Sequence, residues 1–360
     1  MRGFVARSFA LSGGAREANI VTGAIAGAPS APAPPSPVPR PVPRLSLDRI
    51  AAAAQTIDPV FLHSPQFRAE SLGAVLGIDL VVKVETINPI RSFKGRGADF
   101  FVGELGQDTT PLVCASAGNF GQGLAHAARR RGRSLTVFAS TRANTLKIER
   151  MRAFGAEVRL MGDDFDSAKD AARAHAEAAG ARYVEDGRDI AITEGAGSIG
   201  VELASWGAPI DTLLVPLGNG ALLGGVAAWF KQHRARTHVV GVCAEGAPSM
   251  ALSWREQRPV ATASVDTIAD GIAVRVPIPE AVNDIQPLVD DIVLVPDSRT
   301  VEAMQLLFAH LGTLVEPAGA VGVAALLADP ARYVGTRVAT ILCGGNLTPA
   351  QCREFGIATG

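Results

Sequence analysis

A chain of 360 residues, 48% of them hydrophobic, can bury one large core or two moderate ones. Its 34 Lys and Arg nearly cancel its 35 Asp and Glu, for a formal net charge of −1, so it offers no field suited to gripping a nucleic-acid backbone. No apolar stretch approaches the roughly 20 residues of a membrane span. The cysteines, Cys114, Cys243, Cys343 and Cys352, form no CxxC pair, which argues against a disulfide framework or a zinc site and fits a reduced, cytoplasmic setting.

In chain order, residues 1–44 stand apart. APSAPAPPSPVPRPVPR is dense in Pro and Ala without apolar periodicity, and is expected to be an extended, disordered tail. Arg2 and Arg7 give the first ten residues a faintly targeting-like character, but a plain tail is the preferred reading and no secretory segment is recognisable.

From about Leu45, short apolar runs alternate with helix-like stretches. Leu80–Val84, Leu112–Ala115, Leu135–Ala139, Glu157–Met161, Leu213–Pro216, Val239–Ala244 and Val338–Cys343 read as buried strands, being mostly β-branched and too short for helices. In TLKIERMRAFG the apolar Ile148, Met151 and Phe154 recur every third residue, and Gly155 stands where a helix stop belongs. DFDSAKDAARAHAEAAG opens on Asp and closes on Gly180. Such alternation predicts an α/β protein with parallel sheets flanked by helices, in two units. In open α/β sheets, ligands bind beyond the carboxyl ends of strands.

Four of those loops are unusual. NPIRSFKGRGA, residues 88–98, puts Lys94 at the opening of a helix, near Arg91 and Arg96. Neighbouring cations and a helix dipole favour a neutral amine, the form that attacks an aldehyde. Alone, this loop is equally a solvated lysine beside a basic turn. SAGNFGQG, residues 116–123, can bring backbone N–H groups and Asn119 up to a carboxylate; alone, it is equally an ordinary glycine-rich turn. LGNGALLGG, residues 217–225, can cradle a phosphate, yet it is neither GxxxxGK[ST] nor GxGxxG. LCGGN, residues 342–346, would set Cys343 facing a ligand crevice, against the plainer reading of a buried structural thiol.

Together these loops resemble, in order and spacing, the threonine/serine dehydratase group of the tryptophan-synthase β-like (fold type II) pyridoxal-phosphate (PLP) enzymes, from about Thr56 to Asn346. TIADGIAVR (267–275) and VEPAGAVGVAALL (315–327) resemble dehydratase segments more than those of cysteine synthases. The resemblance implies PLP held in a crevice between two α/β domains. It makes Lys94 the catalytic Schiff-base residue, flanked by Phe93, with Asn119 on the cofactor's phenolic oxygen. It also places Gly218, Asn219, Gly220, Ala221 and Leu222 around the phosphate and Cys343 against the pyridine nitrogen. Ser116, Ala117, Gly118 and Asn119 would receive the substrate carboxylate, with Gln122 as a support. The implied reaction is dehydration of a β-hydroxy amino acid such as threonine or serine to a 2-oxo acid and ammonia, with Lys94 removing the α-proton and the cofactor phosphate assisting departure of the hydroxyl.

Departures from the family pattern accompany the likeness. Asn219 and Ala221 replace glycines of the phosphate loop, where Asn is expected to tolerate a left-handed backbone. Phe120 stands where the family usually has His. Ala251 stands where an acidic metal ligand would follow Glu245, so no metal is expected. No second, regulatory domain is expected. Residues 45–111 with 190–360 are expected to form the larger, PLP-binding domain and 112–189 the smaller one. The expected partner is a small amino-acid substrate, with no nucleic acid and no membrane, in a homodimer or homotetramer.

Three other readings compete. Glu194–Gly195 faintly resembles threonine synthases, although the lysine loop does not. A serine racemase would place Ser where Ala117 stands. A non-catalytic PLP or amino-acid-binding protein would have no need of Lys94. Because a Pro/Ala tail buries little apolar surface, deleting residues 1–40 is expected to leave melting temperature and ammonia release unchanged, as calorimetry and a coupled assay on the truncated chain would show.

Overall fold

The computed structural model describes residues 44–143 and 145–357. Almost all of the Pro/Ala-rich tail lies outside that range; its last residue, Arg44, donates to Asp284 at 2.7 and 3.2 Å. Among the described residues the strands are β1 Gln66–Arg68, β2 Asp79–Val84, β3 Leu112–Ala115, β4 Leu135–Ala139, β5 Glu157–Leu160, β6 Arg182–Tyr183, β7 Thr212–Pro216, β8 His238–Ala244, β9 Asp291–Val295 and β10 Arg337–Leu342. The seven strands expected from apolar runs all form, with ends within a residue of expectation. The additional three are β1, β6 and β9.

Two sheets result. One has six strands in the order β1-β2-β10-β7-β8-β9, and the other has four in the order β5-β4-β3-β6. Every pairing is parallel except β1 with β2. Parallel strands need both faces covered, and successive strand residues go to opposite faces. In the six-stranded sheet Val82, Leu214 and Val338 pack with the helix Pro317–Ala328, whereas Val81, Leu213, Val215 and Ala339 pack with the helices Ile190–Ala204 and Ala221–His233. Helix Pro317–Ala328 is buried along nearly its whole length, which suits its uniformly apolar sequence. In the four-stranded sheet Cys114 and Val137 face the helices Lys94–Glu104 and Asn119–Arg130, and Val113 and Phe138 face Ala172 and Ala176 of helix Phe165–Ala178.

Helix ends follow the sequence signals. Asp164 accepts from Ser167 N at 2.8 Å at the start of its helix, and Gly155 and Gly180 take positive φ just beyond the two helices they were expected to stop. The TEGAGSIG segment is a packing surface. A Cβ on Gly195 would lie 2.8 Å from Arg96 O, and one on Gly225 would lie 2.1 Å from Thr193 O. Glycine there lets helices Lys94–Glu104, Ile190–Ala204 and Ala221–His233 approach backbone to backbone. Glu194 is 1% exposed and accepts from Ser46 N and Arg49 Nε, so Glu194–Gly195 has a structural reason here. Among the described residues no helix is long and apolar enough to cross a membrane.

Beneath helix Lys94–Glu104 lies a buried charge cluster. Arg96, wholly buried, donates to both oxygens of Glu85 (2.8 and 2.9 Å) and both of Glu202 (2.6 and 2.9 Å), and to the hydroxyls of Ser64 and Ser198. Lys83 adds a bond to Glu202 at 2.5 Å. Burial alone would raise the Glu202 carboxyl; Arg96 and Lys83 outweigh it and hold the group down to about 2. A depressed carboxylate contributes stability above its unfolded value, near 4.5, and loses it as pH falls towards 2. Glu202→Gln is therefore expected to cost about 3–5 kcal/mol at neutral pH by leaving buried cations underpaired, and to lessen the loss of stability on acidification, measured by denaturant melts across that window.

Candidate active site

One cavity of about 580 Å³ gathers the carboxyl-terminal ends of strands from both sheets. Lys94 follows β2, Ser116–Asn119 follow β3, Asp186 follows β6, Gly218–Leu222 follow β7 and Cys343 follows β10, and all of them line it. Of the residues expected at a site, Phe93, Lys94, Ser116, Ala117, Gly118, Asn119, Gly218, Asn219, Gly220, Ala221, Leu222 and Cys343 are brought together here. Gln122 is not. It is wholly buried and its amide has no hydrogen-bond partner among the described residues. Three residues along a helix is a rise of about 4.5 Å, which takes it past the cavity wall.

The lysine loop is held from below. Asn88 bonds Glu85 O, Ser92 O, Ile90 N and Ser92 N, closing the loop on itself. Phe93 N and Ser92 Oγ both donate to Cys343 O, at 3.0 and 3.2 Å, pinning the helix start beside the end of β10. Lys94 is the first residue of its helix; its Nζ lies 4.6 Å from the Phe93 ring centroid and donates to Asp186 Oδ2 at 2.5 Å. Of the two cations near it in sequence, the Arg96 guanidinium is taken by Glu85 and Glu202, and Arg91 is exposed.

The opposite wall is the start of helix Asn119–Arg130. Ser116 Oγ accepts from Gly118 N (3.2 Å) and Gly121 N (3.0 Å), shaping the turn. Asn119 Nδ2 donates to Glu316 Oε1 at 2.5 Å, and its Oδ1 accepts from Asn346 Nδ2 at 2.8 Å. A side-chain amide has two N–H donors, so one of Asn119's remains for a ligand. Burial pushes the Glu316 carboxyl up, with Asp270 adding to it. Lys147 lies across the cavity on Asp270 at 2.6 Å; burial lowers its amine, but Asp270 and Glu316 prevail and raise it. Burial pushes the Cys343 thiol up as well, with Glu316 adding to it, so it is a neutral group.

In the loop after β7 the left-handed residue is Gly220 (φ 89°), not Asn219, which needs no special conformation. The turn that was expected to rely on asparagine's tolerance of positive φ is made by a glycine one position later. A Cβ on Gly218 would press to 3.0 Å from Gly271 O, so that glycine serves a close backbone approach.

The chain matches the family of pyridoxal-phosphate-dependent enzymes over residues 57–344. The chain belongs to this family. It is 33% identical over 305 residues to an L-threonine ammonia-lyase of Thermotoga maritima, covering 84% of this chain and 76% of that protein. Its structure is similar to the processed threonine deaminase isoform 2 of Solanum lycopersicum, with TM-score 0.80, 30% identity and 93% and 98% of the two chains covered. Similarity to maize serine racemase is comparable in shape, with TM-score 0.81, 26% identity and 86% and 96% coverage.

As a member of this family the chain is PLP-dependent, and the cavity fits that cofactor on its own chemistry. Helix Ala221–His233 opens after a left-handed glycine, has no acidic residue in its first turn, and presents Ala221 and Leu222 to the cavity, which suits a phosphate. The volume lies within the range of small-molecule sites. Asp186, Glu316, Lys147 and Asp270 were not singled out from sequence. Glu316 and Asp270 do lie in the two segments resembling dehydratases, but as single acidic letters; Asp186 gave no signal at all.

Proposed function

We propose that this protein is a PLP-dependent ammonia-lyase that converts a small β-hydroxy amino acid such as threonine or serine to a 2-oxo acid and ammonia. The observation that carries it is the meeting of Lys94, the Ser116–Asn119 turn, the Gly218–Leu222 loop and Cys343 around one cavity, in a chain similar to proteins named threonine ammonia-lyase and threonine deaminase. Residues 45–111 and 190–360 act as the larger, cofactor-binding domain, and 112–189 as the smaller. The enzyme works in the cytoplasm as a homodimer or homotetramer.

Lys94 would hold the cofactor, Gly218–Leu222 would receive its phosphate, and Cys343 and Asn119 would lie against its ring. Bound there, PLP withdraws electron density from the substrate's α-carbon. The backbone amides of Ser116–Asn119 receive the substrate carboxylate at the helix N-terminus and so orient the α-hydrogen. The Lys94 amine, when free of the cofactor, would take that proton. Phe93, Phe120 and Leu222 keep the floor apolar.

Lys94→Ala is expected to fold normally yet lose the visible cofactor band and nearly all ammonia release, because one side chain supplies both covalent anchor and base. Absorbance, melting temperature and a 2-oxo acid assay over threonine, serine, 3-hydroxyaspartate and phenylserine together test this; retained turnover would defeat it. The racemase reading is disfavoured by Ala117, which lines the cavity without a proton to give to the opposite face of the α-carbon. Incubation with L-serine in deuterated water is expected to yield pyruvate far in excess of D-serine. Comparable rates of the two would reverse that preference.

A further inference from the structure

Asp186 is the acid in ion-pair contact with the lysine amine. It lies three residues beyond β6, on the four-stranded sheet, whereas Lys94 starts a helix that follows β2 of the other sheet. Their contact joins residues 92 apart in sequence, at 2.5 Å, with the side chains 14% and 10% exposed. The second carboxylate oxygen, Oδ1, is buried and has no hydrogen-bond partner among the described residues. An unsatisfied buried carboxylate oxygen is costly. The adjacent Glu185 shows the contrast: it is matched by Lys169, Arg173 and Arg188, while Lys94 is the cation paired with Asp186.

Resting on the reading of Lys94 as cofactor lysine and base, we propose that Asp186 is a positioning residue that stabilises the ammonium form of Lys94 created when the α-proton is taken. In that step the α C–H bond breaks and its electron pair stays with the substrate. The proton forms a new N–H bond on neutral Nζ, which gains one positive charge. That charge appears in hydrogen-bond contact with a carboxylate, inside a cavity where water screens it weakly. The pair holds the proton on nitrogen, slows its return to the α-carbon and keeps Nζ aimed while it is unbonded to the cofactor. The other charged groups lining the cavity near its centre are already matched, Lys147 with Asp270 and Glu316 with the amides of Asn119 and Asn346.

The plainer alternative is that Asp186 only neutralises Lys94 when the cofactor is absent. Asp186→Asn and Asp186→Glu in the holoenzyme separate the two. For the Asn variant we expect an intact visible cofactor band, KM within about twofold of wild type and kcat lower by about tenfold to a hundredfold, as for loss of one preorganised electrostatic contact. The isotope effect with α-deuterated substrate should rise, because proton removal becomes the slow step. In the cofactor-free full chain, acylation of Lys94 read by mass spectrometry should become several-fold faster once its counter-charge is gone. The Glu variant should recover most of kcat. An Asn variant with wild-type kcat and isotope effect, a Glu variant no better than Asn, or loss of the cofactor band in the Asn variant would each overturn the proposal. Active Lys94→Ala would instead sink the reading of Lys94 itself, whatever Asp186 does.

Discussion

The position of helix Lys94–Glu104 depends on Arg96. Taking a guanidinium fully out of water costs several kcal/mol unless excellent geometry offsets it, and here its four partners come from three separate segments. Glu85 follows β2, Glu202 and Ser198 belong to helix Ile190–Ala204, and Ser64 precedes β1. Lys83, whose amine burial pushes down despite Glu202, completes a cluster of two cations and two anions. An apolar side chain of equal volume could fill the space but would permit the helix to slide or turn. The fork of Arg96 tolerates few other arrangements. Two residues earlier, Lys94 inherits that fixity.

Close packing supplies the rest of the constraint. The glycines that bring helices Lys94–Glu104, Ile190–Ala204 and Ala221–His233 into backbone contact leave no room for a Cβ, and the same helices carry Lys94 at one start and the Gly218–Leu222 loop at another. On the proposed reading, the covalent anchor and the anion cradle are thus parts of one block. The Ser116–Asn119 turn belongs to the other sheet and reaches that block through Asn119, Glu316 and Asn346. Those three polar side chains register the two walls of the cavity with each other.

The sequence was legible where local physics decides. Strands such as β4 and β8 are runs of β-branched residues that have no alternative but burial, and helix stops fell on glycines that take positive φ. Strands β1 and β6, with sequences QFR and RY, have no such signal and exist through pairing with β2 and β3; β9, DIVLV, carries the same apolar signal as the strands expected from sequence. At the site, loops announced themselves by small residues at strand ends. Partners of the loop side chains did not, since Asn119 meets Glu316 across 197 residues and Lys147 meets Asp270 across 123. Likewise Arg96 lies two residues from Lys94, yet its guanidinium goes to Glu85 and Glu202, 11 and 106 residues away.

Charge is distributed unevenly around the cavity, and on the proposed reading that distribution favours elimination. Beside the lysine stands a formal ion pair, able to hold a proton on nitrogen. On the cofactor-ring side stand the Cys343 thiol, which burial keeps neutral, and the Glu316 carboxyl, which burial pushes up. An ionised acid against the ring nitrogen would keep the ring protonated and lengthen the life of a charged α-carbon, leaving time for a proton to come back. A buried thiol cannot do that, and Ala117 has no proton to return from the other face. Departure of the β-substituent is then the open exit, because neither Lys94 paired with Asp186 nor Ala117 readily returns a proton to the α-carbon.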